Sequence, residues 1–116
     1  MKQWILSFGT SDLARGLAVL ADPWTLLILD AAYDGTKRFE QFLDLLPISR
    51  AVLSNRLDRM EQHGLLRRDA YQAKPIRHEY ILTAAGADAV QVLVAAERWS
   101  ERRDATAKYT SLTSSE

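Results

Sequence analysis

Ser49, Arg50, Ser54 and Asn55 fall within seven residues just after a proline, and each carries a group that can meet a nucleic acid. A serine at a helix start leaves amide N–H groups for a phosphate, although capping the helix alone accounts for it. An arginine in the first turn can span O6 and N7 of a guanine or take a phosphate. An exposed asparagine offers the donor and acceptor that match adenine N7 and N6, and is as readily a solvated surface residue. Further cations precede this stretch at Lys37 and Arg38 and follow it at Lys74 and Arg77. Arg56 belongs to the same run but falls toward the apolar side of its helix, where an ion pair within the protein is as good a reading as a phosphate contact.

The elements that hold these residues are marked by caps and apolar spacing. Phe39, Phe42, Leu43 and Leu46 recur at i, i+3, i+4 and i+7, and Pro47 ends that helix. Ser49 caps the next, which carries Leu53, Leu57 and Met60 on one side and Ala51, Ser54, Asn55 and Asp58 on the other, and ends at Gly64. Two helices joined by so short a turn form a helix-turn-helix. The second helix is then the candidate reader, and the first brings Lys37 and Arg38 toward the backbone. Residues 65–71 and 78–82 read as strands around a loop, 72–77, in which Pro75 discourages continuous pairing. That basic hairpin is a wing, and Lys74 and Arg77 in it favour phosphate or minor-groove contact.

Upstream, Ser11 or Thr10 caps a helix through Leu13, Leu17 and Leu20. Asp22 as cap, Pro23 at the first helical position and Gly35 past the end frame a helix over residues 24–33. It is apolar on almost every side and belongs in the middle of the domain. Downstream, Thr83 caps a long final helix with a stripe of Ala89, Val92, Leu93, Ala96 and Trp99. The expected fold class is mainly α with a small β-hairpin, a winged helix-turn-helix over residues 1–104, followed by a polar, disordered tail at 105–116. Trp4, Ile5, Phe8, Val92, Leu93, Ala96 and Trp99 are more apolar surface than a 116-residue monomer covers, and are read as a homodimer interface formed by N- and C-terminal helices.

Composition narrows the function classes. The formal net charge is zero, with 15 basic and 15 acidic side chains, but it is segregated. Residues 1–48 carry four basic and six acidic groups, residues 49–80 seven and four, and residues 81–116 four and five, so the middle third is +3 between flanks of −2 and −1. Positive charge thus collects where phosphates would lie. No apolar run approaches the roughly 18 residues of a membrane span, and the opening residues are too short an apolar run for a signal peptide, so no membrane is expected and the cytoplasm is the expected location. Cysteine is absent, which removes disulfides, thiolate metal sites and a thiol redox switch. The two histidines, His63 and His78, have no second ligand or motif carboxylate at metal spacing, and there is no nucleophile elbow or phosphate loop. No catalytic residue, metal or cofactor is expected.

The string Trp24-Thr25-Leu26-Leu27-Ile28-Leu29, Arg38-Phe39, Ile48-Ser49, Leu53-Ser54, Arg56-Leu57, Gly64-Leu65, Arg77, Glu79-Tyr80, Leu82-Thr83, Gly86 and Trp99 resembles the HxlR-type regulators in order and spacing, over roughly residues 12 to 100. The resemblance implies a small winged-helix bacterial transcription factor, similar to the wider MarR-like group, that dimerises through its terminal helices and binds a palindromic operator in double-stranded DNA. Three departures qualify it. There is no N-terminal cysteine, Ser7 and Gly9 standing in that neighbourhood; Ala51 stands where the family often has a basic residue; and Asp22-Pro23 replaces a frequent Gly-Lys pair. The second shifts base reading toward Arg50, Ser54 and Asn55, and the third changes only a cap. A small-molecule effector between the central helix and the dimer helices is left open. Zero net charge and Ala51 motivate one rival in a different class, a winged-helix protein-interaction module that has lost DNA.

Overall fold

The computed structural model describes residues 11–114, with side chains through residue 106. Helix α1 runs Asp12–Leu20, and the Ser11 hydroxyl accepts from the Ala14 amide (3.0 Å), which fixes its start at the second of the two caps expected. Helix α2, Pro23–Tyr33, follows at a bend of 77°. Asp22 caps it by accepting from the Thr25 amide (2.9 Å) and hydroxyl (3.0 Å), and Pro23 occupies a first-turn position whose missing N–H costs nothing. Gly35 beyond its end takes a φ of 107°, a conformation that side chains resist. Thr25, Ile28, Leu29, Ala31 and Ala32 of α2 are buried, and the helix packs against both later short helices, the second strand of the hairpin and the long final helix. It is the central helix, although Leu27 and Tyr33 remain exposed.

Helix α3, Phe39–Leu45, buries Phe42 completely and rests Phe39, Leu43 and the following Leu46 against the same core. After the short extended link through Pro47, Ser49 caps helix α4, Arg50–Gln62, by accepting from the Val52 amide (3.2 Å). Leu53, Leu57 and Met60 point into the core and meet Ile28, Leu29, Phe42 and Leu66. Gly64 closes α4 at a φ of 75°.

Strands β1, Leu66–Ala73, and β2, Ile76–Leu82, pair antiparallel from Leu66↔Leu82 to Ala73↔Ile76, with Tyr71 bulged out of register. The hairpin is longer than the sequence implies, since the expected loop 72–77 is paired at Gln72↔Arg77 and Ala73↔Ile76. Pro75 sits at the two-residue tip, so its lack of an N–H removes no ladder bond and pairing continues on both sides of it. A further link was invisible in the sequence: Arg38 bridges to Glu79, and the Tyr80 amide donates to the Lys37 carbonyl (2.7 Å), so the residues ahead of α3 form a third, minimal edge to the wing.

Helix α5, Ala84–Ser114, begins where the Thr83 hydroxyl accepts from the Gly86 amide (3.0 Å) and donates to the Gly64 carbonyl (2.5 Å). Its first turn lies so close to the α4–β1 link that a Cβ on Gly86 would stand 2.2 Å from the Leu65 carbonyl oxygen. At about 1.5 Å per residue, its 31 residues extend roughly 46 Å. The helix continues as far as Ser114, into the segment expected to be a disordered tail. Low hydrophobicity signalled disorder there, but residues 87–114 contain no glycine or proline, and nothing local stops the helix.

Candidate nucleic-acid interface

The outward row of α4 is held in place from behind by Arg56. Its Nε and Nη2 donate to the two oxygens of Asp22 (2.8 and 3.2 Å), and its Nη1 donates to Asn55 Oδ1 (2.9 Å). The Arg56 and Asp22 side chains are only 22% and 25% exposed. The Arg56 hydrogen bonds, with the Thr25 donors, outweigh burial and lower the Asp22 carboxyl from 3.8 to about 2. Of the two readings of Arg56, the structure therefore contains the ion pair, and one carboxylate both caps α2 and fixes the orientation of α4.

Arg50, in the first turn of α4, is not an unoccupied cation. Its Nη1 and Nη2 donate to the two carboxylate oxygens of Glu40 in α3 (2.8 and 3.0 Å), an end-on bidentate pair in which both side chains stay exposed, 68% and 60%. The Phe39 ring lies 5.9 Å from the guanidinium. Ser54 is exposed and unobstructed. Asn55 is exposed too, but its carbonyl oxygen already accepts from Arg56, so only its amide donors are uncommitted and the paired adenine contact expected of it needs that bond to open. Ser49 caps α4, as either reading requires.

In the wing, Arg38 lies over the Tyr71 ring (4.1 Å) and approaches Glu79 (3.7 Å), which ties the start of α3 to the hairpin. Arg67 pairs with Asp69, and Arg68 with Asp58 and Glu61. Four of the seven cations between residues 49 and 80 are thus spent on carboxylates. Among the described residues Arg59, Lys74 and Arg77 have no ion-pair partner there, nor has Lys37 ahead of α3, and all four are exposed. A cleft of about 490 Å³ opens between the start of α3 and the wing, lined by Arg38, Phe39, Glu40, Tyr71, Arg77 and His78 among others. Among the described residues no group of three His, Cys, Asp or Glu is placed to hold a metal.

Sequence reasoning did not single out Glu40, Tyr71 or Arg59. Glu40 is ten residues from Arg50, and only the crossing of α3 over α4 brings them together. Arg59 had a readable signal, since it lies four residues beyond Asn55 on the same helix face.

A second surface, along α1, α2 and α5, exposes apolar side chains. Leu13 is 70% and Trp99 57% exposed, and Leu17, Leu27 and Val92 are also open to solvent. Two almost wholly apolar grooves of about 350 Å³ run along α5, one lined by Leu13, Leu17, Leu20 and Val92, the other by Leu26, Leu27, Leu93 and Ala96. Leu93, expected at the interface, rests half-buried against the chain's own core. Trp4, Ile5 and Phe8 lie outside the described residues. No single described helix is long and apolar enough to cross a membrane.

This geometry has known counterparts. HTH-type transcriptional regulators of Mycobacterium bovis and Mycobacterium tuberculosis are 39% identical over 94 residues, 81% of this chain and 60% of theirs, so the chain spans about three-fifths of the length of these relatives. A transcriptional regulator of the MarR family from Enterococcus faecalis V583 superposes with a TM-score of 0.72 at 30% identity, over 84% of this chain and 93% of that one. The redox regulator HypR in its reduced form superposes with a TM-score of 0.73 at 27% identity, over 81% and 94%. Residues 19–107, from the end of α1 through most of α5, match the HxlR-like helix-turn-helix model, and with that span the chain belongs to the HxlR-like helix-turn-helix family.

Proposed function

We propose that the chain is a DNA-binding transcriptional regulator rather than an enzyme, acting in the cytoplasm as a homodimer on a palindromic operator. The observation that carries this reading is the exposed face of α4, with Arg50, Ser54 and Asn55 in its first turns, flanked by the unpaired wing cations Lys74 and Arg77 and by Lys37. A helix of that kind fits the major groove while the wing meets the adjacent backbone. The apolar face along α1 and α5, with Val92, Ala96 and Trp99, is the proposed contact with a second copy, which would set two reading helices about one DNA turn apart.

Arg50→Ala tests direct reading. It is expected to weaken the best duplex selected from a random pool by about 1–3 kcal/mol and to relax preference at one base pair per half-site. Lys74→Ala or Arg77→Ala is expected to weaken all duplexes alike and to reduce the salt slope by about one unit per protomer each. An Arg50→Ala protein with an unchanged ratio of selected to scrambled affinity overturns base reading by this residue. The pairing of four of the seven central cations with carboxylates favours a second reading, a winged-helix module that binds protein instead. Such a mainly apolar contact would respond little to salt.

A further inference from the structure

Among the described residues, Glu40 is the one carboxylate paired with a reading residue of α4. It sits in the first turn of α3, exposed, with both oxygens on the Nη1 and Nη2 of Arg50. The Arg50 hydrogen bonds hold its carboxyl below the ordinary carboxylate range, and the charge of Arg77 across the cleft adds to this. Glu40 therefore lies between a cation of the reading helix and a cation of the wing.

We infer that Glu40 is a specificity-determining residue, which keeps Arg50 from contacting phosphate while leaving it able to read a base edge. The inference rests on the DNA-binding reading above. With Arg50 neutralised, docking it on the backbone releases no counterion unless the pair opens, and an opened pair leaves a carboxylate beside a phosphate. A guanine edge imposes no such penalty, because its O6 and N7 are neutral acceptors. The end-on pair uses one N–H from each Nη and leaves Nε–H and the outer N–H of each Nη. A buttressed guanidinium can still donate two bonds to guanine through that remaining edge. Ala51 sharpens the requirement, since no neighbouring side chain in that turn shares the reading.

The test compares the wild-type chain with Glu40→Gln on the best duplex selected from a random pool and on a scrambled duplex, by fluorescence anisotropy across a salt series. Gln keeps the size and helix propensity of Glu, and an unchanged thermal melt followed by circular dichroism verifies the fold. The variant is expected to bind scrambled DNA several-fold more tightly, to steepen its salt slope by about one unit per protomer through Arg50, and to lose several-fold in the ratio of selected to scrambled affinity. In an Arg50→Ala background the same change is expected to move scrambled binding far less, which separates release of Arg50 from removal of a negative charge. If the wild type binds DNA with salt dependence and Glu40→Gln leaves ratio and slope unchanged, the inference falls and the DNA-binding reading stands. Weaker binding of Glu40→Gln to both duplexes likewise overturns the inference. A wild type that binds no duplex removes both.

Discussion

Replacing Asp22 by asparagine isolates the charge that fastens α4 to the rest of the domain. Asparagine is a good helix cap and retains an acceptor for the Thr25 amide, so the start of α2 survives, while the bidentate partner of Arg56 becomes neutral. In the folded chain the Asp22 carboxyl is lowered from 3.8 to about 2. At 1.36 kcal/mol per unit this corresponds to about 2 kcal/mol of stability. Part of that belongs to the Thr25 bonds, which the asparagine keeps, so Asp22→Asn is expected to cost about 1–2 kcal/mol at pH 7. Asp22→Ala, which also loses the cap, should cost about 2–4 kcal/mol. The folded value lies below the unfolded one, so the contribution is complete above about pH 5, declines from pH 4 toward pH 2 and vanishes below that. Urea unfolding followed by circular dichroism, at matched protein concentration and at pH 7, 4 and 3, should show the gap between wild type and Asp22→Asn narrowing with acid. A gap that is absent at pH 7, or that stays constant to pH 3, refutes the assignment of Asp22–Arg56 as the anchor of the reading helix.

Gly86→Ala places a methyl group against the Leu65 carbonyl and Leu82, so it should destabilise the fold by about 1–3 kcal/mol in the same unfolding assay; an unchanged midpoint would show that the start of α5 shifts without cost. Trp99→Asp, on the exposed apolar face, should convert a species of twice the chain mass into monomer in sedimentation at micromolar concentration, because a charge buried in such an interface costs several kcal/mol. A wild type that already sediments as monomer contradicts the proposed dimer. Arg56→Met should lower stability while leaving the salt slope of DNA binding unchanged, since Arg56 is spent on Asp22; a slope reduced by about one unit per protomer would return it to the phosphate contacts.

Local rules sufficed for the elements that carry the interface. Ser11, Asp22, Ser49 and Thr83 all act as caps, and the 3.6-residue spacing of Leu53, Leu57 and Met60 settles which face of α4 looks outward. What the sequence hid depends on contacts between distant segments. The Arg38–Glu79 bridge and the Tyr80–Lys37 hydrogen bond join residues some forty positions apart and leave no periodic trace. The hairpin outran its expected length because the cost of proline depends on whether its position needs an N–H, which only the register decides. Charge was misleading in a similar way. The middle third carries seven cations, but which of them remain available to DNA follows from where Asp22, Glu40, Asp58, Glu61 and Asp69 are brought by folding.

The central claim is that the face built from α4 and the wing binds duplex DNA and distinguishes its sequence. The most direct measurement is the salt dependence of wild-type binding to a duplex selected from a random pool and to its scrambled counterpart. Lys37, Lys74 and Arg77 on each of two protomers would neutralise about six phosphates, which gives a slope of log affinity against log salt near −5. A slope of about that size is expected on both duplexes, with tighter binding of the selected one throughout. Affinity that is flat with salt, or equal for the two duplexes, would contradict it.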